Sequence, residues 1–207
     1  MKVARARPEV VVFDLGNVLI SWDRRLLYAS MFEDEAELDH FLGEVYTLEA
    51  NDRLDRGQPL AAFCVELAAA HPRYEAEIMA LRDRWIETIG PVVEGTVEIL
   101  AELTKRGVPC YALSNWNADT YRIVEERYDF LGWFDGVTLS GREGITKPDP
   151  EIFRRMFRAF GIDPARALFI DDSAVNVEAA RRLEMDAVVF TEPDALRREL
   201  HVRGLLG

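Results

Sequence analysis

The side chains best suited to chemistry stand at the ends of apolar runs. Asp14 follows "VVF", Ser114 and Asn115 follow "CYAL", and Asp171 and Asp172 follow "ALFI", with Asn176 shortly beyond them. Lys147 lies in "GITKPDP", just ahead of a helix start. Taken singly, most of these have an ordinary explanation as a loop acid, a turn pair or a solvated lysine. The adjacent acids resist one, because two neighbouring carboxylates repel unless a cation or hydrogen bonds compensate. Asp14, Asp172 and Asn176 offer hard oxygen donors of the kind Mg²⁺ prefers. A carboxylate can also act as a covalent nucleophile. An ammonium, a hydroxyl and a cation suit the charge that spreads over a phosphoryl group during transfer.

For these residues to meet, the elements between them must return to one edge. After "GPVVEG" the chain alternates. "TVEILAELTKRG" reads as a helix, "VPCYALS" as a strand, "ADTYRIVEERY" as a helix and "GVTLS" as a short strand. "DPEIFRRMFRAFG" is a helix with Asp149 as N-cap, Pro150 at its first position and Gly161 as its stop. "ALFIDD", "AVNVEAARRL", "DAVVF" and "PDALRREL" continue as strand, helix, strand, helix. This alternation predicts an α/β fold, a doubly wound parallel sheet covered on both faces. In such a sheet the strand exits share one edge, so the acids, the hydroxyl and the amine converge there.

Between the first strand and the rest, residues 24–89 are helical in pattern, as in "AELDHFLGEVYTL" and "LAAFCVELAAA". The expected organisation is a core of residues 1–20 and 91–207, interrupted by a helical domain of residues 21–90 standing over the strand exits.

The composition sets outer limits. A chain of 207 residues, 49% of them hydrophobic and four of them Trp, can bury a substantial core. With 25 basic and 37 acidic residues the formal charge is -12, a field that repels nucleic acid and anionic membranes. An anionic substrate therefore needs a local positive site. Cys64 and Cys110 have no metal-ligand spacing and sit in apolar runs, so reduced thiols are expected. The basic residues Lys2, Arg5 and Arg7 precede an apolar run too short for a signal peptide, and no segment is long enough to span a bilayer. A cytoplasmic protein, monomeric or homodimeric, is the expectation.

The ordered set "VVFDLGNVL", "YALSN", "GITKPDPEIF" and "LFIDDSAVNVEAA" resembles the four motifs of the haloacid dehalogenase (HAD) superfamily of hydrolases. The resemblance covers nearly the whole chain, and the helical block matches the superfamily's helical cap of the first type. Within that subclass, "FDLGNVL", "LSN" and "DDSAVN" are similar to the α-D-glucose-1-phosphate phosphatase-like branch. The resemblance implies a Rossmann-like core and a Mg²⁺-dependent phosphatase acting on a small phosphorylated metabolite through an aspartyl phosphate. By position it makes Asp14 the nucleophile, Ser114 and Asn115 the phosphate-binding and orienting pair, and Lys147 the charge-neutralising lysine. Asp172 becomes the principal metal ligand, with Asp14, Asp171, Asn176 and the Gly16 carbonyl completing the metal set. Gly16, Asn17, Asn115 and, by its place directly after Ser114-Asn115, Trp116 are the candidate substrate contacts.

One position departs from the pattern. Most phosphatases of the superfamily carry an acid two residues after the nucleophile, where it protonates the leaving group and later activates water; this chain has Gly16. General acid-base assistance is worth roughly 10²- to 10⁴-fold in rate. The superfamily's haloacid dehalogenases dispense with both that acid and the metal, so a metal-independent 2-haloacid dehalogenase-type hydrolase is the alternative. A non-enzymatic binding protein on the same fold is the third reading. The acid cluster suits a cation better than halide displacement, and Gly16-Asn17 departs from the aromatic-Gly-Thr continuation of the dehalogenases. Trp22, Asp23, Arg24, Arg25 and Tyr28, and "EANDRLDRG" around Asn51 and Arg53, are within reach of a pocket, although packing or solvent is the commoner fate of such residues.

Overall fold

The computed structural model describes residues 7–207; residues 1–6, with Lys2 and Arg5, lie outside the described residues. The chain begins with β1 (Val10–Phe13) and a short strand β2 (Ile20–Trp22). A helical segment follows: α1 (Arg24–Tyr28), α2 (Glu35–His40), α3 (Leu48–Asp55), α4 (Leu60–Ala70) and α5 (Glu75–Arg84). The strand β3 (Ile89–Val92) leads into α6 (Glu94–Lys105), β4 (Cys110–Ser114), α7 (Ala118–Glu125), β5 (Gly136–Leu139), α8 (Ser140–Glu143) and α9 (Pro150–Phe160). The last elements are β6 (Ala167–Asp171), α10 (Ala174–Arg182), β7 (Asp186–Val189) and α11 (Pro193–Val202).

Five parallel strands form one sheet in the order β5-β4-β1-β6-β7, as the alternating pattern predicts. The strand β1 is central, and its period-two alternation divides the core. Val11 and Phe13 enter a hydrophobic cluster that extends into the helical segment, whereas Val12 packs on the other face with Leu113, Phe169, Ile152, Phe153 and Met156. Each such buried side chain contributes about 1.5–3 kcal/mol. Helix α9 lays Ile152, Phe153 and Met156 against the sheet. It begins where the Asp149 carboxylate accepts the Glu151 N–H at 2.8 Å and stops at Gly161, whose φ of +66° suits glycine.

The helical segment is closed by aromatic packing of Tyr28, Phe41, Tyr46 and Phe63. Its connection to the sheet differs from the expectation of a purely helical block. The strands β2 and β3 pair antiparallel, Ile20 opposite Val92 and Trp22 opposite Ile89, so the chain leaves and re-enters the core through one two-stranded ribbon. Three residues on one side and a Gly-Pro pair on the other carry too weak a strand signal to be read locally, and Pro91 is tolerated because the ribbon is all edge. Cys64 and Cys110 are buried free thiols, and burial pushes their pKa values up to about 11 and about 12. Among the described residues no helix is long and apolar enough to cross a membrane.

Candidate active site

Asp14, Ser114 and Asp171 stand at the carboxyl ends of β1, β4 and β6, three adjacent strands. Neighbouring strands lie about 4.8 Å apart, so the three side chains meet although about 160 residues of sequence separate the first from the last. All three are buried, as is Lys147 from the loop before α9.

One oxygen of Asp14 is fully engaged. Its Oδ1 accepts the Leu15 N–H at 2.8 Å and the Ser114 hydroxyl at 2.7 Å, and it pairs with Lys147 Nζ at 2.9 Å. Among the described residues Oδ2 has no donor. The carboxylate is thus held by one oxygen and left nucleophilic at the other. Burial raises its pKa to about 7, with Asp171 acting in the same direction against Lys147 and Ser114.

Lys147 Nζ matches its three protons to three acceptors: Asp14 Oδ1, Asp171 Oδ2 at 2.7 Å and the Leu113 carbonyl at 2.9 Å. Burial disfavours the ammonium, but Asp14 and Asp171 outweigh burial and hold its pKa above the ordinary lysine value. Asp171 Oδ1 accepts the Ser173 N–H at 2.8 Å, and the Asn176 amide donates to both Asp171 oxygens at 3.0 and 3.1 Å. Asn176 therefore reaches the acid cluster as a donor to Asp171. Asp172 is more open; burial and the neighbouring Asp171 raise its pKa, and a hydrogen bond from the Asn17 side chain lowers it.

Carboxylate oxygens of Asp14, Asp171 and Asp172 lie within 4.8 Å of one another. Three carboxylates against one ammonium leave the cluster two charges short of balance, and its donors are all hard oxygens. Octahedral Mg²⁺ bound at about 2.1 Å fits such a set.

Two candidate substrate contacts also have structural duties. The Asn115 amide donates to the Lys147 carbonyl at 3.0 Å, and its oxygen accepts the Lys147 N–H at 2.8 Å, so both ends clamp the lysine's own backbone. Asn17 Oδ1 accepts the Trp22 N–H at 3.0 Å while its amide serves Asp172, which ties the β2 ribbon to the acid cluster. Asn115→Ala is expected to cost about 1–3 kcal/mol of stability. It should also lower kcat about 10- to 100-fold through a displaced Lys147, measured by thermal melting and steady-state kinetics on one sample.

Above the strand ends lies a cavity lined by Gly16, Trp22, Asn51, Leu54, Asp55, Trp85, Asn115, Trp116, Asn117 and Thr120. Trp116 is buried, its indole N–H has no partner among the described residues, and its ring packs near Trp85 and Tyr121. Trp22 and Asn51 line this cavity, but the other side chains flagged near them do not. Asp23 caps α1, Arg24 donates to the Leu42 and Tyr46 carbonyls, Arg25 pairs with Asp39, Tyr28 is buried in the aromatic cluster, and Arg53 pairs with Glu66. Asp55 and Trp85 were not singled out from sequence. Asp55 lies within "EANDRLDRG", yet nothing in that segment distinguishes the inward acid from Asp52.

The family profile of haloacid dehalogenase-like hydrolases matches residues 8–184. The sesquiterpene phosphatase astK of Aspergillus oryzae is 26% identical over 96% of this chain and 97% of its own. The D-ribitol-5-phosphate phosphatase of Bacteroides thetaiotaomicron is likewise 26% identical, over 93% of this chain and 96% of its own. In fold, the chain is similar to the HAD family enzyme bt-2542 of Bacteroides thetaiotaomicron, solved with magnesium and inorganic phosphate. That match has a TM-score of 0.70 and 23% identity, and covers 89% of this chain and 94% of the other. With the profile spanning most of its length and the Asp, Ser, Lys and Asp-Asp residues gathered at one sheet edge, the chain belongs to the haloacid dehalogenase-like hydrolases.

Proposed function

We propose that this chain is a Mg²⁺-dependent phosphatase that hydrolyses small phosphomonoesters through an aspartyl phosphate on Asp14. The observation that carries the reading is the Asp14 carboxylate itself. Three donors fix its Oδ1 and, among the described residues, none holds Oδ2, beside an acid cluster that calls for a cation. Oδ2 attacks phosphorus, the bond to the leaving oxygen breaks, and water later cleaves the aspartyl phosphate. Ser114 orients the nucleophile, and Lys147 offsets the charge of Asp14 and Asp171. Asp172, Asp14 and the Gly16 carbonyl would hold the ion, with Asp171 and Asn176 behind them, and the ion would supply charge stabilisation at the phosphoryl oxygens. The phosphatase names of full-length relatives point the same way.

The helices of residues 24–88 serve as a cap within a domain of residues 21–90. They contribute Asn51, Leu54, Asp55 and Trp85 to the cavity, and β2 contributes Trp22, which sizes it for a small molecule. The aromatic walls favour a substrate with an apolar or flat body over a bare sugar.

A panel of small phosphomonoesters tests the reading, with phosphate and halide release measured in parallel. Phosphate release that stops with EDTA and returns with Mg²⁺ is the expected result. Halide release from 2-haloacids that is indifferent to EDTA would replace it with the dehalogenase reaction.

A further inference from the structure

We propose that Asp55, from the helical segment, supplies the leaving-group proton that Gly16 cannot. The inference rests on the phosphatase reading and names the general acid of that same site.

Position is the first argument. Asp55 and Gly16 line one cavity, beside Asn115 and Trp116. The backbone around Asp55 is fastened to the core on several sides. Ser140 Oγ donates to the Asp55 carbonyl at 2.5 Å, the Asn117 amide donates to the Leu54 and Gln58 carbonyls at 2.9 Å each, and Thr146 Oγ1 donates to Asp52 at 3.2 Å. At Gly57 the chains approach so closely that a Cβ would lie 2.5 Å from the Gly141 carbonyl oxygen, and its φ is +97°. The end of α3 is therefore docked beside the strand exits, which fixes Asp55 relative to the nucleophile.

The side chain is also oriented. Asp55 Oδ2 accepts the Asn51 amide at 3.0 Å, and Asn51 Oδ1 accepts the buried Tyr46 hydroxyl at 2.7 Å. The chain Tyr46–Asn51–Asp55 leaves the other carboxyl oxygen without a donor among the described residues, available to carry a proton toward the cavity. This is the arrangement a general acid requires, one oxygen held and the other presented.

Charge favours the acid form near neutral pH. Burial raises the Asp55 pKa to about 7, with Asp52 and Asp14 adding to the rise and Asn51 and Lys147 opposing it. On the packed neighbours α4 and α8, the charged residues are engaged elsewhere: Glu66 with Arg53, Glu143 with Arg155, and Arg142 over the Tyr121 ring. Gly16 provides no acid, and a Cβ built on it would meet no atom within 4 Å.

The proton balance is complete. As Asp14 Oδ2 bonds to phosphorus, the bond to the leaving oxygen breaks and its electron pair stays on that oxygen. The Asp55 proton moves there and releases an alcohol. Asp55, now a carboxylate, takes a proton from the water that attacks phosphorus; the bond to Oδ2 breaks, and phosphate leaves with both aspartates restored.

Benzyl phosphate and 4-nitrophenyl phosphate test this, because both present a ring to the cavity but only the first needs a protonated leaving group. Wild-type enzyme with Mg²⁺ is expected to process the two within about tenfold. In Asp55→Asn, benzyl phosphate hydrolysis should fall about 10²- to 10⁴-fold. 4-Nitrophenyl phosphate should still give a burst of one nitrophenolate per site, followed by slow turnover. Gly16→Asp placed in the Asp55→Asn background should restore benzyl phosphate hydrolysis at least about tenfold, which a merely structural lesion would not allow. The proposal is overturned if Asp55→Asn keeps the wild-type ratio of the two substrates. A wild-type enzyme that already discriminates strongly against benzyl phosphate also overturns it, a result that needs no variant to fold. Wild-type enzyme inactive on every phosphomonoester would instead remove the phosphatase reading itself.

Discussion

Asp14→Asn is expected to lower phosphate release by about 10⁴- to 10⁶-fold while the protein still folds. The loss follows from chemistry at one atom. An amide nitrogen at the place of Oδ2 has no available lone pair with which to form the aspartyl phosphate. Folding survives because the bonds that hold this side chain converge on the other oxygen. The Leu15 N–H, the Ser114 hydroxyl and Lys147 can all meet an amide oxygen at that position, and Lys147 keeps Asp171 and the Leu113 carbonyl. The same variant should change how stability depends on pH in EDTA. An ordinary aspartate titrates near 3.8, and Asp14 near 7 in the fold. Between these values the folded state keeps a proton that the unfolded state has lost, so stability is greatest below that window and falls as pH rises through it. Asp55 titrates near 7 as well and contributes in the same direction. Melting curves at pH 5 and pH 8 should show a smaller loss in Asp14→Asn than in wild type. Activity above about 1% of wild type would remove Asp14 as the nucleophile.

The legible part of this protein is the part in which local sequence and global position agree. Four apolar runs, each followed by an acid or a small polar residue, are parallel strands because the helices between them are amphipathic and closed by caps such as Asp149 and Gly161. A shared edge for Asp14, Ser114 and Asp171 follows from that alternation alone. What sequence does not carry is the direction of a polar side chain. Asn115 adjoins Ser114, yet its amide turns to the Lys147 backbone. Asn176 turns its amide to Asp171. Asp52 and Asp55 lie in one helix three residues apart; Asp52 bonds Thr146, and Asp55 lines the cavity. These choices depend on partners from distant segments, Ser140, Asn117 and Thr146 among them. The β2–β3 ribbon was hidden for a related reason: neither strand has enough residues to announce itself, and each exists because the other is there.

Lys147→Met should produce the largest loss of stability of any single substitution in the site. An exposed lysine replaced by methionine changes stability within about 0.5 kcal/mol. Lys147 is nearly fully buried, and its ammonium pairs with both Asp14 and Asp171. Its removal leaves two buried carboxylates facing a side chain with no charge to offer. Breaking a buried pair in this way costs about 3–5 kcal/mol, which for a domain of this size lowers Tm by about 6–20 °C. Arginine should not substitute, because its planar five-donor fork cannot occupy a pocket whose acceptors, Asp14, Asp171 and the Leu113 carbonyl, are set for a compact ammonium. The deficit should shrink as pH falls toward about 7, because without Lys147, which lowers its pKa, Asp14 takes up its proton at a higher pH than in wild type and the uncompensated charge is reduced. Added Mg²⁺ should shrink it too if the acid cluster is where the cation binds. Activity should drop about 10²- to 10³-fold because Asp14 loses the ammonium that fixes its Oδ1 and keeps its carboxylate ionised. Melting curves for wild type, Lys147→Met and Lys147→Arg, with and without Mg²⁺ at two pH values, separate these effects. A Lys147→Met protein that melts with wild type would mean that the lysine is solvated and that the carboxylates are compensated by something else.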